Sequence, residues 1–284
     1  MDTKSGVRRL LIAIVSGIAL LSLTAISVVY GASQWMLSRR YGMLPTHVTA
    51  RVGAAAVAEG KRLATTFGCR DCHASDLHGA YLEWAGMTSR NLTRLTETYS
   101  DADLDRAIRQ GLHPNGTSVA SAMPSDMYRF MRDDEAAAIL TYLRSLPHNG
   151  PDVPEPTIGF DARWAWLAQK PNSKLTAREY FDEPPAMNLG PATAEGRRIA
   201  ISHCAECHAG NLKGDGMETP DLAIVAGYNR TAFFDFLLTG KATDEREVPL
   251  MSDMARARFR HFSDSEIDAL YDYLSARARK ILND

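Results

Sequence analysis

The sequence has no excess of charge of one sign, since 32 basic and 34 acidic residues leave a net charge of -2. This balance provides no basic field for nucleic acid, so we predict no nucleic-acid partner. Four cysteines in 284 residues are too few for a disulfide-dense scaffold. No stretch shows the period-2 alternation of apolar residues that marks strands, which excludes an all-β fold. The chain is therefore predicted to be a mostly α globular protein.

One long apolar run lies near the N-terminus, from Leu10 to Tyr30. As a helix it spans about 31 Å, the thickness of the hydrocarbon core of a bilayer. We therefore predict that residues 1–40 form a single-pass membrane anchor. The cationic residues before it place the N-terminus in the cytoplasm and the rest of the chain in an exported compartment. The alternative is a signal peptide cleaved near Gly31, Ala32 and Ser33.

The remainder of the chain contains an internal repeat. GKRLATTFGCRDCHASDLHG at Gly60–Gly79 matches GRRIAISHCAECHAGNLKG at Gly196–Gly214 after a gap of one residue. Further on, the helical pattern that begins at Asp133 resembles the one that begins at Asp264, where Ser263 and Glu266 predict a capping box. Two copies of a long repeat indicate a duplicated domain rather than a solenoid.

The repeat predicts domains at residues 50–147 and 192–284, joined by a linker at 148–191. The linker region is rich in proline, which is typical of a connection between domains. It also holds large apolar side chains, so we expect it to wrap over one or both domains. Its prolines and the ones that flank it are Pro147, Pro151, Pro154, Pro156, Pro171, Pro184, Pro185 and Pro191.

All four cysteines belong to two copies of the motif C-x-x-C-H. The first copy is Cys69, Cys72 and His73, and the second is Cys204, Cys207 and His208. This spacing is that of c-type haem attachment, in which the two thiols bind the porphyrin and the histidine binds the iron. The alternatives are a four-cysteine zinc site, a thioredoxin-like redox pair, and two disulfides. The zinc site does not explain a histidine directly after both pairs, the redox pair expects an α/β setting, and disulfides across two intervening residues would be strained.

A haem iron bound by histidine also takes a ligand on its opposite face, and methionine raises its reduction potential. In the first domain we predict Met123, which precedes Pro124 in a loop before Asp133. In the second domain the candidates are Met251 and Met254, and an ungapped alignment of the closing helices places Met254 opposite Met123. The alternative ligands are the histidines His78, His113 and His261.

The sequence resembles a class I cytochrome c repeated twice behind a membrane anchor. SRNLTR from Ser89, YSDADLDRAIRQGL from Tyr99 and SAMPSDMYRF from Ser121 are similar to the first haem domain of the cytochrome subunits of membrane-bound alcohol, aldehyde and sugar-acid dehydrogenases. In that family the methionine of the Met-Pro pair is the axial ligand, which corresponds to Met123. LMSDMARARFRHFSD is similar to a later domain, in which the first methionine is the ligand, so the resemblance favours Met251 over Met254.

The resemblance implies two covalently bound haem c groups, although those subunits usually carry three haem domains. It implies a membrane-anchored dihaem cytochrome c that relays electrons on the periplasmic side of a bacterial inner membrane. It would do so as a subunit of a respiratory complex or dehydrogenase, or as a tethered carrier to a terminal oxidase. The redox partner is then a dehydrogenase, a quinol-oxidising complex or a terminal oxidase. The alternative is a dihaem peroxidase-like enzyme that acts at an open haem, which needs a vacant or displaceable sixth position on the iron.

Overall fold

The structure, a computed structural model, describes residues 3–154, 157–170, 173–214, 216 and 219–283. Pro156 and Pro171 of the predicted linker lie outside the described residues. The prediction of a mostly α chain is confirmed. The helices are α1 (Thr3–Leu37), α2 (Ala54–Thr66), α3 (Cys69–Cys72), α4 (Leu92–Thr98), α5 (Asp101–Asp105), α6 (Ser125–Tyr128), α7 (Asp133–Ser145), α8 (Phe160–Leu167), α9 (Ala194–His208), α10 (Arg230–Thr239), α11 (Met251–Ala257) and α12 (Asp264–Asn283).

Irregular helices and one hairpin complete the structure. A π-helical turn at Arg106–Gln110 continues α5, and strands β1 (Tyr81–Leu82) and β2 (Met87–Thr88) pair antiparallel. Turns of 3₁₀ helix lie at Ala177–Tyr180, Pro191–Thr193, Leu222–Gly227 and Phe259–His261.

Helix α1 is longer than the predicted apolar run and fits a membrane anchor. Within its segment Gly6–Leu37, the most apolar stretch of 18 residues has a mean hydropathy of 2.4 and is almost entirely exposed. Directly after α1 the chain joins the first domain, since Arg40 forms a β-bridge with Thr117 and the Tyr41 amide donates to the Gly116 carbonyl at 2.9 Å. The anchor and the first domain are therefore connected without a free linker.

The two domains have separate apolar cores, and in both a glycine allows two helices to cross closely. In the first domain, α2 to α7, helix α2 crosses α7 at Gly60, where an added Cβ would lie 1.9 Å from the Ala138 carbonyl oxygen. In the second domain, α9 to α12, helix α9 crosses α12 at Gly196, where a Cβ would lie 1.8 Å from the Ala269 oxygen. Glycine is required at both crossings because a side chain would separate the helix backbones.

The one-residue gap in the repeat has a structural cause. Gly68 has no counterpart in the second copy, and its left-handed backbone (φ 74°) ends α2 before the short helix α3 that carries the first cysteine pair. The second copy continues as the single helix α9 through Cys204, Cys207 and His208. The first attachment motif therefore leaves its helix at an angle that the second does not adopt.

The domains face each other through residues at matched positions of the repeat. Arg62 of the first domain pairs with Glu266 of the second at 2.9 Å, and Arg198 of the second pairs with Glu135 of the first at 2.8 Å. Glu266 also forms the predicted capping box with Ser263. Because Arg62 aligns with Arg198 and Glu135 with Glu266, the contacts are reciprocal, as in an isologous dimer interface.

Two aromatic side chains at matched positions fill the centre of this interface. Phe67 and His203 correspond in the repeat, and their ring centroids lie 4.2 Å apart. Phe262 contacts the other side of the His203 ring edge-on at 5.0 Å. Phe67 and His203 are both buried, so the domains share an apolar contact in addition to the two ion pairs.

The predicted linker crosses the first domain, the anchor and the second domain in turn. The Asn91 side chain donates to the Asn149 and Pro151 carbonyls, α8 packs on α1, and Ala186 is buried in the second core. A further contact holds the C-terminal part of the linker, since the Tyr273 hydroxyl donates to the Met187 carbonyl at 2.9 Å. The segment is a packed part of the structure and holds the domains in place.

Candidate haem sites

Among the described residues, each domain contains an apolar cavity beside its C-x-x-C-H motif. Cys69, Cys72 and His73 line the first cavity, together with side chains of α4, α5 and α7. Cys204, Cys207 and His208 line the second, together with side chains of α10 and α12. Both C-x-x-C-H motifs therefore face cavities whose apolar walls suit a large, mostly apolar prosthetic group.

The motif histidines are held in the same way in both domains. The Nδ1 of His73 is 2.8 Å from the Arg90 carbonyl oxygen, and the Nδ1 of His208 is 2.8 Å from the Pro220 carbonyl oxygen. A carbonyl only accepts, so Nδ1 carries the proton in each ring and Nε2 is the nitrogen suited to an iron. Burial also lowers the pKa of His73, which favours the neutral imidazole that a metal needs.

The thiols have the properties of attachment sites rather than of a redox pair. All four are free in the structure. Burial raises the pKa of Cys69 and of Cys204 to about 12, and that of Cys72 to about 11. A thioredoxin-like cysteine has a lowered pKa instead, so this alternative does not fit. Among the described residues no three metal-binding side chains cluster as a zinc site would require.

The predicted methionine ligands line the cavities, but the cavities do not single them out. Met123 lines the first cavity, and Met87, Met131 and His113 line it as well. His113 is engaged by the Tyr99 hydroxyl at 3.2 Å from its Nδ1. The other proposed histidines, His78 and His261, are absent from the described cavity walls.

Met251 and Met254 both line the second cavity. They are three residues apart on α11, so they share one face of that helix. The choice of Met251 therefore stays a prediction, as does that of Met123.

Arg258 connects the two attachment motifs and was not singled out from the sequence. Its Nε donates to Asp71 at 2.5 Å, and its Nη1 donates to Glu206 at 2.7 Å. Asp71 directly precedes Cys72 and Glu206 directly precedes Cys207, so the two carboxylates occupy the same position in each motif. The Arg258 side chain is 9% exposed and also lines the second cavity. The sequence signal was the acidic residue shared by both motifs.

Gly68 makes room for this arginine. A Cβ added at Gly68 would lie 2.4 Å from the Cζ of Arg258. The extra residue of the first repeat therefore turns the chain and also leaves space for the guanidinium group beside the first attachment motif.

Comparison with known proteins identifies both regions. The family model described as Cytochrome c matches residues 57–147 and 193–277. The fructose dehydrogenase cytochrome subunit of Gluconobacter japonicus is 20% identical over 256 residues, which cover 77% of this chain and 52% of the relative. The gluconate 2-dehydrogenase cytochrome c subunit of Pantoea cypripedii is 23% identical over 219 residues, which cover 64% of this chain and 48% of the relative.

A third relative covers more of the chain. The cytochrome c subunit of the quinone alcohol dehydrogenase of Gluconobacter oxydans is 22% identical over 297 residues, which cover 85% of this chain and 60% of the relative. The chain thus spans about half the length of the curated relatives it matches. These relatives give no support to the peroxidase-like alternative.

The pH dependence of stability tests the buried histidine between the domains. Burial lowers the pKa of His203 to about 3 from an ordinary value of 6.5. The unfolded chain therefore binds a proton at this position that the folded chain does not, and stability falls as the pH decreases from 6.5 towards 3. Phe67 occupies the matching position of the first copy, so phenylalanine is the replacement chosen for His203. We expect the unfolding free energy of His203→Phe to fall by about 2 kcal/mol less than that of the wild type between pH 7.5 and pH 5.

The measurement is the thermal unfolding midpoint between pH 7.5 and pH 5. His148→Phe, at a partly exposed histidine of the linker, is the control and keeps the wild-type pH dependence. An equal loss of stability with falling pH in His203→Phe and in the wild type contradicts the assignment. Arg198, Arg258 and Glu266 act on His203 electrostatically and are unchanged in all three proteins.

The ligand of the second iron is tested by exchanging the two methionines separately. Paired histidine ligation lowers a haem potential relative to histidine and methionine. We expect Met251→His to lower one potential by roughly a tenth of a volt or more, and Met254→His to change neither much. Potentiometric titration of the visible spectrum measures both variants. If the shift follows position 254, the ligand is Met254.

Proposed function

The chain belongs to the cytochrome c family and holds two covalent haem c groups, and from that premise we propose that it relays electrons as the cytochrome subunit of a membrane-bound dehydrogenase. The cavities fit the group, since each combines a C-x-x-C-H motif, a histidine with its proton on Nδ1, and apolar walls. When bound, each haem c supplies a one-electron iron couple, through which an electron from the donor passes to the acceptor.

The observation that carries the proposal is the junction of the two attachment motifs at Arg258. One guanidinium group contacts the residue before Cys72 and the residue before Cys207, so both attachment motifs are held against the same side chain. Two irons that act in series must be held at a fixed short separation. A carrier with two independent haems would not need a buried contact between their attachment motifs.

The residues of the chain have three tasks in this relay. The cysteines would hold the group covalently, and His73, His208, Met123 and Met251 are the proposed ligands of the two irons. The apolar walls exclude water, which limits the reorganisation that accompanies a change of charge. The ion pairs Arg62–Glu266 and Arg198–Glu135 hold the two cavities in one orientation.

The relatives favour a dehydrogenase as the electron donor, because those named above are the cytochrome subunits of fructose, gluconate and alcohol dehydrogenases. Helix α1 would anchor the chain in the bacterial inner membrane with both haem domains on the periplasmic side. The cationic residues Arg8 and Arg9 at the start of the apolar run support this orientation. The acceptor is then a quinone or a protein of the respiratory chain.

Isolation from native membranes tests the partner. We expect a tagged full-length chain, extracted in mild detergent, to retain a dehydrogenase with a flavin or quinone cofactor that mass spectrometry identifies. Addition of that enzyme's substrate should then reduce both haems. The control is the same extraction from cells with the untagged chain. Retention of a quinol-oxidising complex or a terminal oxidase, or of no partner, would contradict a dehydrogenase subunit.

Removal of the charge at Arg258 tests the coupling of the two sites. Arg258→Met leaves Asp71 and Glu206 uncompensated next to both cavities, and negative charge stabilises the oxidised iron. We expect both haem potentials to fall in Arg258→Met and to fall less in Arg258→Lys, which keeps one charge. Because the two carboxylates are about one third exposed, the cost in unfolding free energy is about 1–3 kcal/mol, below that of a fully buried pair.

Arg256→Met is the matched control, since Arg256 lies two residues earlier and pairs locally with Glu247 and Asp253. Both potentials should stay at their wild-type values in this variant. A shift of only one potential in Arg258→Met would show that Arg258 serves one site, and no shift in either would remove it from the relay.

A further inference from the structure

Helix α8 of the linker packs on the outward end of the anchor. Helix α1 is exposed along most of its length, but Val29, Ser33 and Met36 are buried, with 2%, 0% and 8% of their surface accessible. Their spacing of four and three residues places them in one stripe of the helix. Helix α8 packs on α1, and among the described residues of α1 most apolar side chains outside this stripe are exposed.

Arg163 is the centre of this contact. Its Nη1 donates to the Ser33 hydroxyl at 2.7 Å, its Nε donates to the Ile158 carbonyl at 2.9 Å, and its guanidinium lies 4.9 Å from the Tyr30 ring centroid. The residue is 8% exposed. An arginine with these polar and aromatic contacts is suited to the boundary of a bilayer, where its charge lies close to phosphate groups.

The depth of the contact follows from the length of the apolar run. If Leu10 marks the inner boundary of the hydrocarbon core, about 31 Å of helix places Tyr30 at the outer boundary. Tyr30 and Ser33, the residues of α1 that Arg163 contacts, therefore lie at the outer boundary and just beyond it. Helix α8 packs at the same level because Arg163 reaches both Tyr30 and Ser33.

Large aromatic side chains surround this contact and remain exposed. Phe160, Trp164 and Trp35 have 41%, 46% and 66% of their surface accessible, and the Phe160 ring lies 6.2 Å from that of Tyr30. Phe160 and Trp164 are four residues apart and flank the buried Arg163. Tryptophan and tyrosine are enriched at the headgroup level of membranes, which is where this cluster would lie.

We propose that α8 is an interfacial helix that inserts Phe160 and Trp164 into the headgroup layer on the outer side of the membrane. This inference rests on the proposed function, because it requires that α1 spans the bilayer. The occupant of the exposed aromatic face is then the lipid surface, which is continuous with the lipid around α1.

The contact reaches the first haem site through hydrogen bonds. The Trp166 indole Nε1 donates to Glu179 at 2.7 Å, and Glu179 accepts the Leu175 and Thr176 amides at 2.9 Å each. Thr176 in turn forms a β-bridge with Ala120, which lines the first cavity. Helix α8 therefore fixes the orientation of the first cavity relative to the membrane.

Nitroxide labels on α8 test the insertion. Trp164→Cys and Asp161→Cys are prepared in the full haem-loaded chain, where the four native thiols are consumed, and are reconstituted in vesicles of phosphatidylethanolamine and phosphatidylglycerol. Power-saturation electron paramagnetic resonance compares collisions with oxygen, which partitions into lipid, and with a water-soluble nickel chelate. We expect the ratio of oxygen to nickel accessibility to be several-fold higher at 164 than at 161, which is exposed on the same helix.

Two results would overturn the proposal, and they have different meanings. If the vesicles retain the chain under alkaline wash but both labels collide with nickel equally, α8 stands in water and only this inference fails. If the alkaline wash removes the chain from the vesicles, the anchor of the proposed function fails together with it. A third variant, Arg163→Ala with the label at 164, should lower the ratio towards that of position 161, because the contact with Ser33 is lost.

Discussion

The ion pairs of Arg258 are the interaction on which the arrangement of the two sites depends. A guanidinium group forms directed bonds with two carboxylates at once, whereas a lysine would act as a single point charge. Here the two carboxylates belong to different domains and to the same position of each attachment motif. The side chain is nearly buried, and Glu206 lies in the same domain as Arg258, so docking of the domains is what brings the Asp71 carboxylate to the guanidinium group. Docking of the domains and neutralisation of Asp71 are therefore one event.

Duplication explains why the interface was available. When two copies of one domain meet about a twofold axis, each favourable contact occurs twice, as the pairs Arg62–Glu266 and Arg198–Glu135 show. The glutamates also cap the closing helices α7 and α12, so they are held in place before the arginines approach. The glutamates that cap the helices thus also form half of each interdomain ion pair. Because capping already fixes their side chains, little further side-chain entropy is lost when the domains dock.

The motifs that carry covalent chemistry could be predicted from the sequence because their spacing is dictated by the group they hold. The two cavities, the apolar anchor and the capping box at Ser263 followed from such local patterns. The interdomain pairs did not, since an arginine on a polar helix face looks the same whether it contacts water or another domain. Met251 and Met254 remain undistinguished for a related reason: both lie on one face of α11 and line the same cavity. Arg258 acts through residues distant in the chain, which no local pattern contains.

The interface departs from twofold symmetry at Arg258, because the matching position of the first copy is not an arginine. At the offset of 131 residues that aligns Glu135 with Glu266, the counterpart of Arg258 is Met127, which contacts the cores of both domains. An arginine at both positions would bring two buried cations close to the axis, with only Asp71 and Glu206 to share between them. One arginine and one methionine avoid this repulsion and fill the space. The extra Gly68 in the first copy then provides room for the single guanidinium group. The insertion of Gly68 and the presence of an arginine in only one copy therefore form one adaptation of the duplicated domain.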